Sequence, residues 1–312
     1  MTRTDAIYPA DRLVLREVGL RDGLQMVRAW PDSAEKLNWL SQEHAAGVRH
    51  FEVGSFLPSH RFPQFADVRK VADHCRTLDG AHSVALALNP QGVEQALASS
   101  AGEVQLVVSA TEAHSQANQN RSRAEAIDLV AHAAARRGAD GPLVSVGIAM
   151  AFGCSISGPV AFADVLDLVD AVLAAGTDVV GLADTVGYAG PDDVGALTRA
   201  ARELAGDVPV CVHLHDTRGL GLANASAAMD AGCRILDGAL GGLGGCPFAP
   251  GATGNIVMED LAFLAETKGF DTRIDLEALI GVREVLKRSM PDEALFGALA
   301  RAGPISPQMR HE

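Results

Sequence analysis

The sequence predicts a closed (β/α)₈ barrel, a TIM barrel, with short additional helices at its C-terminal end. Eight short runs rich in Val, Leu and Ile recur along the chain, and each is followed by a polar turn and then by a segment with helical periodicity. Continuously apolar strands separated by helices are typical of a parallel sheet that is covered on both faces. Eight such units within residues 12–268 fit a closed barrel, and a doubly wound open sheet is the structural alternative.

Strands and helices are predicted in strict alternation. The predicted strands are Leu13–Leu20, His50–Phe56, Ser83–Leu88, Glu103–Ala110, Leu143–Ala151, Asp178–Asp184, Val210–His215 and Ile235–Gly241. The predicted helices are Ser33–Ala46, Phe65–Leu78, Gln91–Ser99, Arg123–Arg137, Pro159–Ala175, Pro191–Ala205, Leu220–Ala231 and a last one from near Asn255 to about Lys268. Helix start signals support several of them, including Asp32 before the first and glycine–proline pairs before two others.

No linker or low-complexity tract divides the chain, so we expect residues 1–312 to form a single domain. Residues 12–268 would form the catalytic barrel, and residues 269–312 would form a C-terminal helical extension. An apolar stripe in that extension predicts a helix after Asp275. Its members are Leu276, Leu279, Ile280, Val282 and Val285.

Charge and composition narrow the kinds of partner. The chain carries 39 acidic and 26 basic side chains, a formal net charge of −13, which argues against nucleic acid as a partner. Its apolar runs are interrupted well short of the ~20 residues that a membrane span needs, so no membrane partner is expected. The polar N-terminus lacks the apolar stretch of a secretion signal, and the five cysteines lack CxxC spacing. Together these features predict a cytoplasmic protein with free thiols.

The pair His213 and His215 is the clearest sign of a metal site. Residues i and i+2 of a strand point to the same face, so both imidazoles lie together near the end of the seventh strand. Asp22 after the first strand and Asn255 after the eighth complete the candidate set, because these strands are near neighbours in a closed barrel. Two nitrogen and two oxygen ligands admit Mg²⁺, Mn²⁺, Zn²⁺ or Co²⁺. The alternative is a pair of hydrogen-bonding histidines at a polar strand end.

Three further residues carry candidate chemistry. Arg21, next to the candidate ligand Asp22, is placed to stabilise negative charge on a carbonyl oxygen. Glu52 points inward on the second strand, so its charge needs a cationic partner, and Arg21 is the simplest candidate. Arg21 could instead pair with Glu17. Cys246 lies in a glycine-dense loop, where its thiol can donate a proton to a ligand. The alternative for Cys246 is a small buried apolar residue.

Five segments of the sequence, taken together, resemble the hydroxymethylglutaryl-CoA lyase family over about residues 12–285. They are EVGLRDGLQ from Glu17, EVGSF from Glu52, DTVG from Asp184, HLHDT from His213 and GGLGGCPFAPGATGN from Gly241 to Asn255, the last followed by Glu259 and Asp260. The last segment is highly specific for this family. The run RDGLQ is similar to the lyases rather than to the related synthases, which carry Glu in place of Leu. Residues Ser115–Ser122 are similar to the fourth β/α loop of the family.

The resemblance implies a lyase that cleaves 3-hydroxy-3-methylglutaryl-CoA to acetyl-CoA and acetoacetate by a retro-Claisen, aldol-type reaction, as in leucine catabolism. It implies a Mg²⁺ or Mn²⁺ ion held by Asp22, His213, His215 and Asn255. Arg21 would bind the thioester oxygen, Glu52 would orient Arg21, Asp22 with His213 would accept the hydroxyl proton, and Cys246 would return a proton. The implied substrate contacts are Arg21, Gln25, Ser55, Asn118, Asp184 and Thr185. The expected partner is an acyl-CoA substrate, and a homo-oligomer, a dimer by base rate, is expected.

Several positions depart from the family pattern, among them Leu20 and residues 26–28, and three of them bear on the wall of the substrate pocket. Ser145 and Gly147 stand where members carry Arg and Tyr, and Gly181 stands where they carry Ser. Either hydroxymethylglutaryl-CoA remains the substrate, or the pocket accepts a relative such as a bulkier 3-alkylglutaryl-CoA or citramalyl-CoA. Two other functions stay open: a barrel that binds an acyl-CoA or a metal without turnover, and a condensing enzyme similar to an alkylmalate synthase.

Overall fold

Eight parallel strands close into a barrel in the computed structural model, which describes residues 2–244 and 254–303. The strands are β1 (Val14–Glu17), β2 (His50–Ser55), β3 (His82–Leu86), β4 (Glu103–Ser109), β5 (Leu143–Ala149), β6 (Val179–Asp184), β7 (Val210–Leu214) and β8 (Ile235–Gly238). Each strand pairs with its neighbours in sequence, and β1 also pairs with β8. The predicted (β/α)₈ barrel is confirmed, and the open sheet is excluded.

Helices separate the strands and cover the outside of the barrel. The α-helices of the described residues are α1 (Arg3–Ile7), α2 (Ser33–Ala45), α3 (Val68–Cys75), α4 (Pro90–Leu97), α5 (Glu112–Gln119), α6 (Arg123–Arg136), α7 (Phe162–Ala174), α8 (Pro191–Ala205), α9 (Gly221–Asp230), α10 (Met258–Thr267), α11 (Leu276–Ser289) and α12 (Ala298–Ala302). Within the described part of the chain, none of the helices is both long and apolar enough to pass through a bilayer.

Local interactions explain where two of the helices begin. Asp32 caps α2 by accepting a hydrogen bond from the Glu35 amide at 2.9 Å, as expected of a helix start signal. The helix predicted from near Asn255 begins instead at Met258, because Asn255 forms a β-bridge with His215. This bridge keeps Asn255 at the mouth of the barrel, beside the end of β7.

Three helical segments differ from the sequence prediction, and one of them is α1, which was not among the predicted helices. The predicted helix Phe65–Leu78 is observed as a 3₁₀ turn at Pro63–Phe65 followed by the shorter helix α3. Helix α5 was not among the predicted helices, since its polar sequence carries no apolar stripe. Thr111 caps α5 through its side chain, and Asn120 ends it in the left-handed conformation with φ of 52°.

The helices that follow the barrel pack on its outer surface. Helix α11 contacts α2 and α10, and α12 contacts α10. Four members of the predicted apolar stripe are buried and Ile280 is half-buried; the buried ones are Leu276, Leu279, Val282 and Val285. The helix predicted after Asp275 is therefore present, and the division of a single domain into a barrel and an extension stays a prediction.

Candidate active site

A tight turn after β1 presents the first two candidate residues. The chain passes from β1 into a π-helical turn at Gly19–Gly23, in which the Val18 carbonyl accepts hydrogen bonds from the amides of Arg21, Asp22 and Gly23. This turn fixes Arg21 and Asp22 at the carboxyl end of β1. TIM barrels carry their chemistry at this end of the strands.

The four predicted metal ligands meet at the mouth of the barrel. His213 lies on β7, His215 follows the end of β7, and Asn255 precedes α10. The Oδ2 atom of Asp22 lies 3.8 Å from Nε2 of His213 and 3.5 Å from Nε2 of His215. Nδ2 of Asn255 donates a hydrogen bond to the same Oδ2 atom at 2.9 Å. The ligand atoms that Asp22, His213 and His215 offer all lie within 4.8 Å of one another.

Two observations show that this donor set fits a divalent cation. The Nε2 atoms of His213 and His215 are 3.1 Å apart, so two imidazole nitrogens face each other and share at most one proton between them. Oδ1 of Asn255 is buried without a hydrogen-bond partner among the described residues, while its amide nitrogen donates to Asp22 and to the Leu243 carbonyl. A cation bound by two nitrogens and two oxygens would satisfy these atoms.

Arg21 is held between two carboxylates. Its Nη1 atom lies 2.7 Å from Oδ1 of Asp22, and its Nε atom lies 2.7 Å from Oε1 of Glu52. Nη1 also donates to Oε1 of Gln25 at 3.1 Å. The structure thus pairs Arg21 with Glu52, while Glu17 accepts hydrogen bonds from backbone amides elsewhere. Burial raises the pKa of Glu52, and the neighbouring Arg21 partly opposes that rise.

The electrostatics of the mouth keep Asp22 ionised. Burial alone would raise the pKa of Asp22, but Arg21, His215 and His213 together hold it well below its usual range. A carboxylate that stays charged when buried is suited to bind a cation. The same surroundings orient the Arg21 guanidinium beside the candidate metal position.

A cavity of about 140 Å³ opens from these residues into the barrel. Its charged lining residues include Arg21, Asp22, Arg16 and Asp237, and the two histidines lie beside them. The uncharged lining residues include Leu86, Leu88, Gln105, Val107, Gly147, Ala149, Gly181 and Ala183. Gly147 and Gly181 are paired neighbours on β5 and β6, so two of the three positions that depart from the family pattern lie side by side in the cavity lining, and Ser145 is not among the described lining residues.

The remaining predicted substrate contacts divide into two groups. Gln25, Asn118 and Thr185 line the cavity with Arg21. Ser55 lines a separate depression beside Phe56, and the Asp184 carboxylate accepts hydrogen bonds from the amides of the turn after β6. Neither Ser55 nor Asp184 is among the described residues that line the cavity. The predicted acid/base residue Cys246 lies outside the described residues.

Five lining residues with polar or charged side chains were missed by sequence reasoning. They are Arg16, Gln105, His114, Cys211 and Asp237. Arg16 and Asp237 did carry a signal, because each is a charged residue inside an otherwise apolar strand, as Glu52 is. Gln105 and His114 had none, since isolated polar residues in strands and helices usually have structural roles.

Comparison with known families gives one consistent result. The family model described as HMGL-like matches residues 12–286 of the chain. The (R)-citramalyl-CoA lyase of Chloroflexus aurantiacus is 37% identical over 311 residues, which cover 96% of this chain and 97% of that protein. The hydroxymethylglutaryl-CoA lyase of Pseudomonas mevalonii is 34% identical and covers 86% of this chain and 89% of its own length.

A solved structure agrees with these relatives. The structure of an HMG-CoA lyase from Acinetobacter baumannii in complex with coenzyme A and 3-methylmalate superposes with a TM-score of 0.88 at 34% sequence identity. The superposition covers 98% of this chain and 100% of that one. The matches extend over the barrel and the mouth residues alike. This chain belongs to the hydroxymethylglutaryl-CoA lyase family and is a carbon–carbon lyase.

Proposed function

We propose that the protein is a divalent-metal-dependent lyase that splits a 3-hydroxyacyl-CoA into acetyl-CoA and a keto acid. One observation carries this proposal: Arg21, Asp22, His213 and His215 line a single cavity, and Asn255, which donates a hydrogen bond to Asp22, adds a buried oxygen that has no hydrogen-bond partner among the described residues. Binding alone would not need an arginine held between two carboxylates at that point. The first candidate substrate is 3-hydroxy-3-methylglutaryl-CoA, with acetoacetate as the keto acid.

Citramalyl-CoA is the second candidate substrate. It is favoured by the 37% identity to an (R)-citramalyl-CoA lyase over nearly the whole of both chains. Its cleavage would give acetyl-CoA and pyruvate. The two substrates differ by one methylene between the hydroxyl-bearing carbon and the free carboxylate. The described lining of the cavity offers two arginines, Arg16 and Arg21.

The residues of the mouth have distinct tasks in this reaction. Asp22, His213, His215 and Asn255 would hold a Mg²⁺ or Mn²⁺ ion, which supplies Lewis-acid activation of the substrate hydroxyl when bound. Asp22, with His213 beside it, takes the hydroxyl proton as the C2–C3 bond breaks. Arg21, fixed by Asp22 and by Glu52, donates hydrogen bonds to the thioester oxygen and stabilises the enolate. Donors of this kind contribute about 3 kcal/mol.

The enolate of acetyl-CoA then needs a proton. We assign its delivery to Cys246. The four cysteines of the described residues are buried free thiols, which supports the proposed placement of the protein in a reducing cytoplasm. Assembly as a homodimer is proposed from the general frequency of such dimers.

The experiment that tests the function is a cleavage assay with a panel of substrates. The purified protein is incubated with Mg²⁺ or Mn²⁺ and with hydroxymethylglutaryl-CoA, (R)-citramalyl-CoA, (S)-citramalyl-CoA and a 3-alkylglutaryl-CoA with a longer substituent. We expect release of acetyl-CoA from at least one of them, and loss of release after chelation of the metal. Absence of cleavage for the whole panel would overturn the lyase proposal. Among the substrates that are cleaved, the one with the highest kcat/KM identifies the preferred substrate and therefore the keto acid that is released.

A further inference from the structure

The barrel interior contains a pair of charges that the proposed reaction does not use. Arg16 on β1 and Asp237 on β8 stand directly opposite each other in the strand register, and both are almost fully buried. Nε of Arg16 lies 2.8 Å from Oδ1 of Asp237, and Nη2 lies 2.9 Å from Oδ2. This is a bidentate pairing, which fixes the plane and the orientation of the carboxylate.

Asp237 reaches the metal site through His213. Its Oδ2 atom lies 3.0 Å from Nδ1 of His213. A carboxylate held ionised by Arg16 accepts a hydrogen bond there, so the proton of the neutral imidazole resides on Nδ1. Nε2 of His213 then keeps its lone pair, and this atom faces Asp22 and His215. The carboxylate therefore selects the tautomer that a metal ligand needs.

Arg16 is itself anchored from the other end of the barrel. Its Nη1 atom lies 3.5 Å from Oε1 of Glu103, and the other oxygen of Glu103 accepts from the Tyr8 hydroxyl at 2.7 Å and contacts His82 at 3.1 Å. A line of polar contacts thus runs from the amino end of the barrel to His213. Because Arg16 and Asp237 both lie on paired strands, the position of Asp237 is set by the barrel rather than by the loops.

We propose that Asp237 is a positioning residue that orients His213 and fixes its tautomer for metal binding, and that Arg16 acts through Asp237. The inference rests on the metal site of the proposed function. Histidine ligands of metals commonly donate their other ring N–H to a carboxylate, and loss of that partner typically lowers metal affinity 10- to 100-fold.

The test measures Mn²⁺ affinity without substrate, by titration of the free ion followed by electron paramagnetic resonance. In Asp237→Asn, a single amide oxygen must serve both Arg16 and His213, so we expect the dissociation constant to rise about 10- to 100-fold. Glu103→Gln is the matched control, since Glu103 is equally buried and contacts Arg16 but no ligand; its Mn²⁺ affinity should change less than about threefold. Circular dichroism and the unfolding midpoint check that each variant is folded.

Two further readouts separate positioning from a structural role. In ¹⁵N spectra of the metal-free protein, His213 should show the Nδ1–H tautomer, and Asp237→Asn should mix the two tautomers. Arg16→Gln should weaken Mn²⁺ binding, but the double variant Arg16→Gln with Asp237→Asn should bind no more weakly than Asp237→Asn alone. Folded Asp237→Asn with wild-type affinity and an unchanged His213 tautomer would overturn the inference.

The failure of this inference and of the proposed function can be told apart. His213→Ala should abolish Mn²⁺ binding; if it does not, the metal site itself is wrong. If His213→Ala abolishes binding while Asp237→Asn does not change it, only the positioning role falls. If Asp237→Asn weakens binding but no CoA ester is cleaved by the wild type, the positioning role stands without the lyase activity.

Discussion

Arg16 and Glu17 are consecutive on β1, and their side chains enter two different groups of buried charges. Arg16 points into the barrel, whereas Glu17 points outward to α2 and to the turn that follows β8. We call the carboxylates inside the barrel the inner group and those outside it the outer group. The inner group is Asp22, Glu103 and Asp237, and the outer group is Glu17, Glu43 and Glu259.

Cations determine the ionisation of the inner group. Burial alone would raise the pKa of each inner carboxyl, but Arg21 and two histidines lower that of Asp22, and Arg16 with His213 lowers that of Asp237 well below the usual range. His82 and Arg16 bring the pKa of Glu103 to about 2 against the same cost of burial. These side chains therefore stay charged throughout the physiological range.

The outer group is equally buried, but its partners do not offset the cost of burial. Burial raises the pKa of Glu17 to about 8, and it raises that of Glu43 well above its usual range. Neither has a cation within 4.0 Å among the described residues, while Glu259 pairs with Arg283 at 2.8 Å. Glu17 accepts hydrogen bonds from the amides of Gly19 and Leu240, so the outer group supports two turns of the mouth. In the inner group the cations thus outweigh the cost of burial, whereas in the outer group burial outweighs the backbone hydrogen bonds of Glu17 and the pairing of Glu259 with Arg283.

Arg21→Met should produce the largest effect, because it removes the cation of the inner group that touches the proposed substrate. We expect kcat to fall about 10²- to 10³-fold, as for the loss of a donor to a developing oxyanion. The measurement is the steady-state rate of acetyl-CoA release by protein that is shown to be folded. A folded Arg21→Met variant with a nearly unchanged kcat would contradict the assigned role of Arg21.

Arg283→Met is the corresponding change in the outer group. It leaves Glu259 with the Gly241 amide and without its cation, so the free energy of unfolding should fall by about 3 kcal/mol. Since Arg283 touches no cavity residue, kcat of the folded variant should stay within about threefold of the wild type. Urea unfolding and the same rate assay check the two expectations. If kcat fell as far as in Arg21→Met, the outer group would also support the reaction, and the proposed difference between the two groups would be wrong.

The sequence predicted the candidate metal ligands, but it did not predict the contacts of the outer group. The reason is geometric. Asp22, His213, His215 and Asn255 end or follow strands that are neighbours in any closed barrel, so their meeting requires only the fold class. The direction of Glu17 requires the face of β1, and an apolar strand that is buried on both sides shows no alternation from which to infer it.

The same limitation concealed two other sets of contacts. The pairing of Arg16 with Asp237 depends on the register of β1 against β8, which no local pattern in the sequence encodes. The proximity of Glu43 to Glu17 depends on how α2 packs on the barrel. Strand and helix positions thus follow from apolar periodicity, whereas the partners of buried charges follow from packing that only the tertiary structure defines.

Glu17→Gln should produce the smallest effect of the three, and its signature is a change in pH dependence. The pKa of Glu17 is about 8 in the folded protein and near its model-peptide value of about 4.5 when unfolded. Between these values the folded state holds a proton that the unfolded state has released, so this group makes stability fall as pH rises, by about 1.4 kcal/mol per pH unit. Glutamine cannot ionise, so the variant should lose stability less steeply than the wild type between about pH 5.5 and pH 7.5.

Urea unfolding at several pH values measures this slope, and Glu103→Gln provides the comparison from the inner group. The folded pKa of Glu103, about 2, lies below its unfolded value, so its stabilisation is present above about pH 4.5 and is lost as pH falls toward 2. Glu103→Gln should therefore change the free energy of unfolding only at acidic pH. Glu17→Gln should change its pH dependence only near neutral pH. Equal slopes for Glu17→Gln and the wild type near neutral pH would mean that Glu17 is ionised after all. Glu17 would then need a cation that the described contacts do not include, and the contrast between Glu17 and the cation-paired Asp237 would no longer hold.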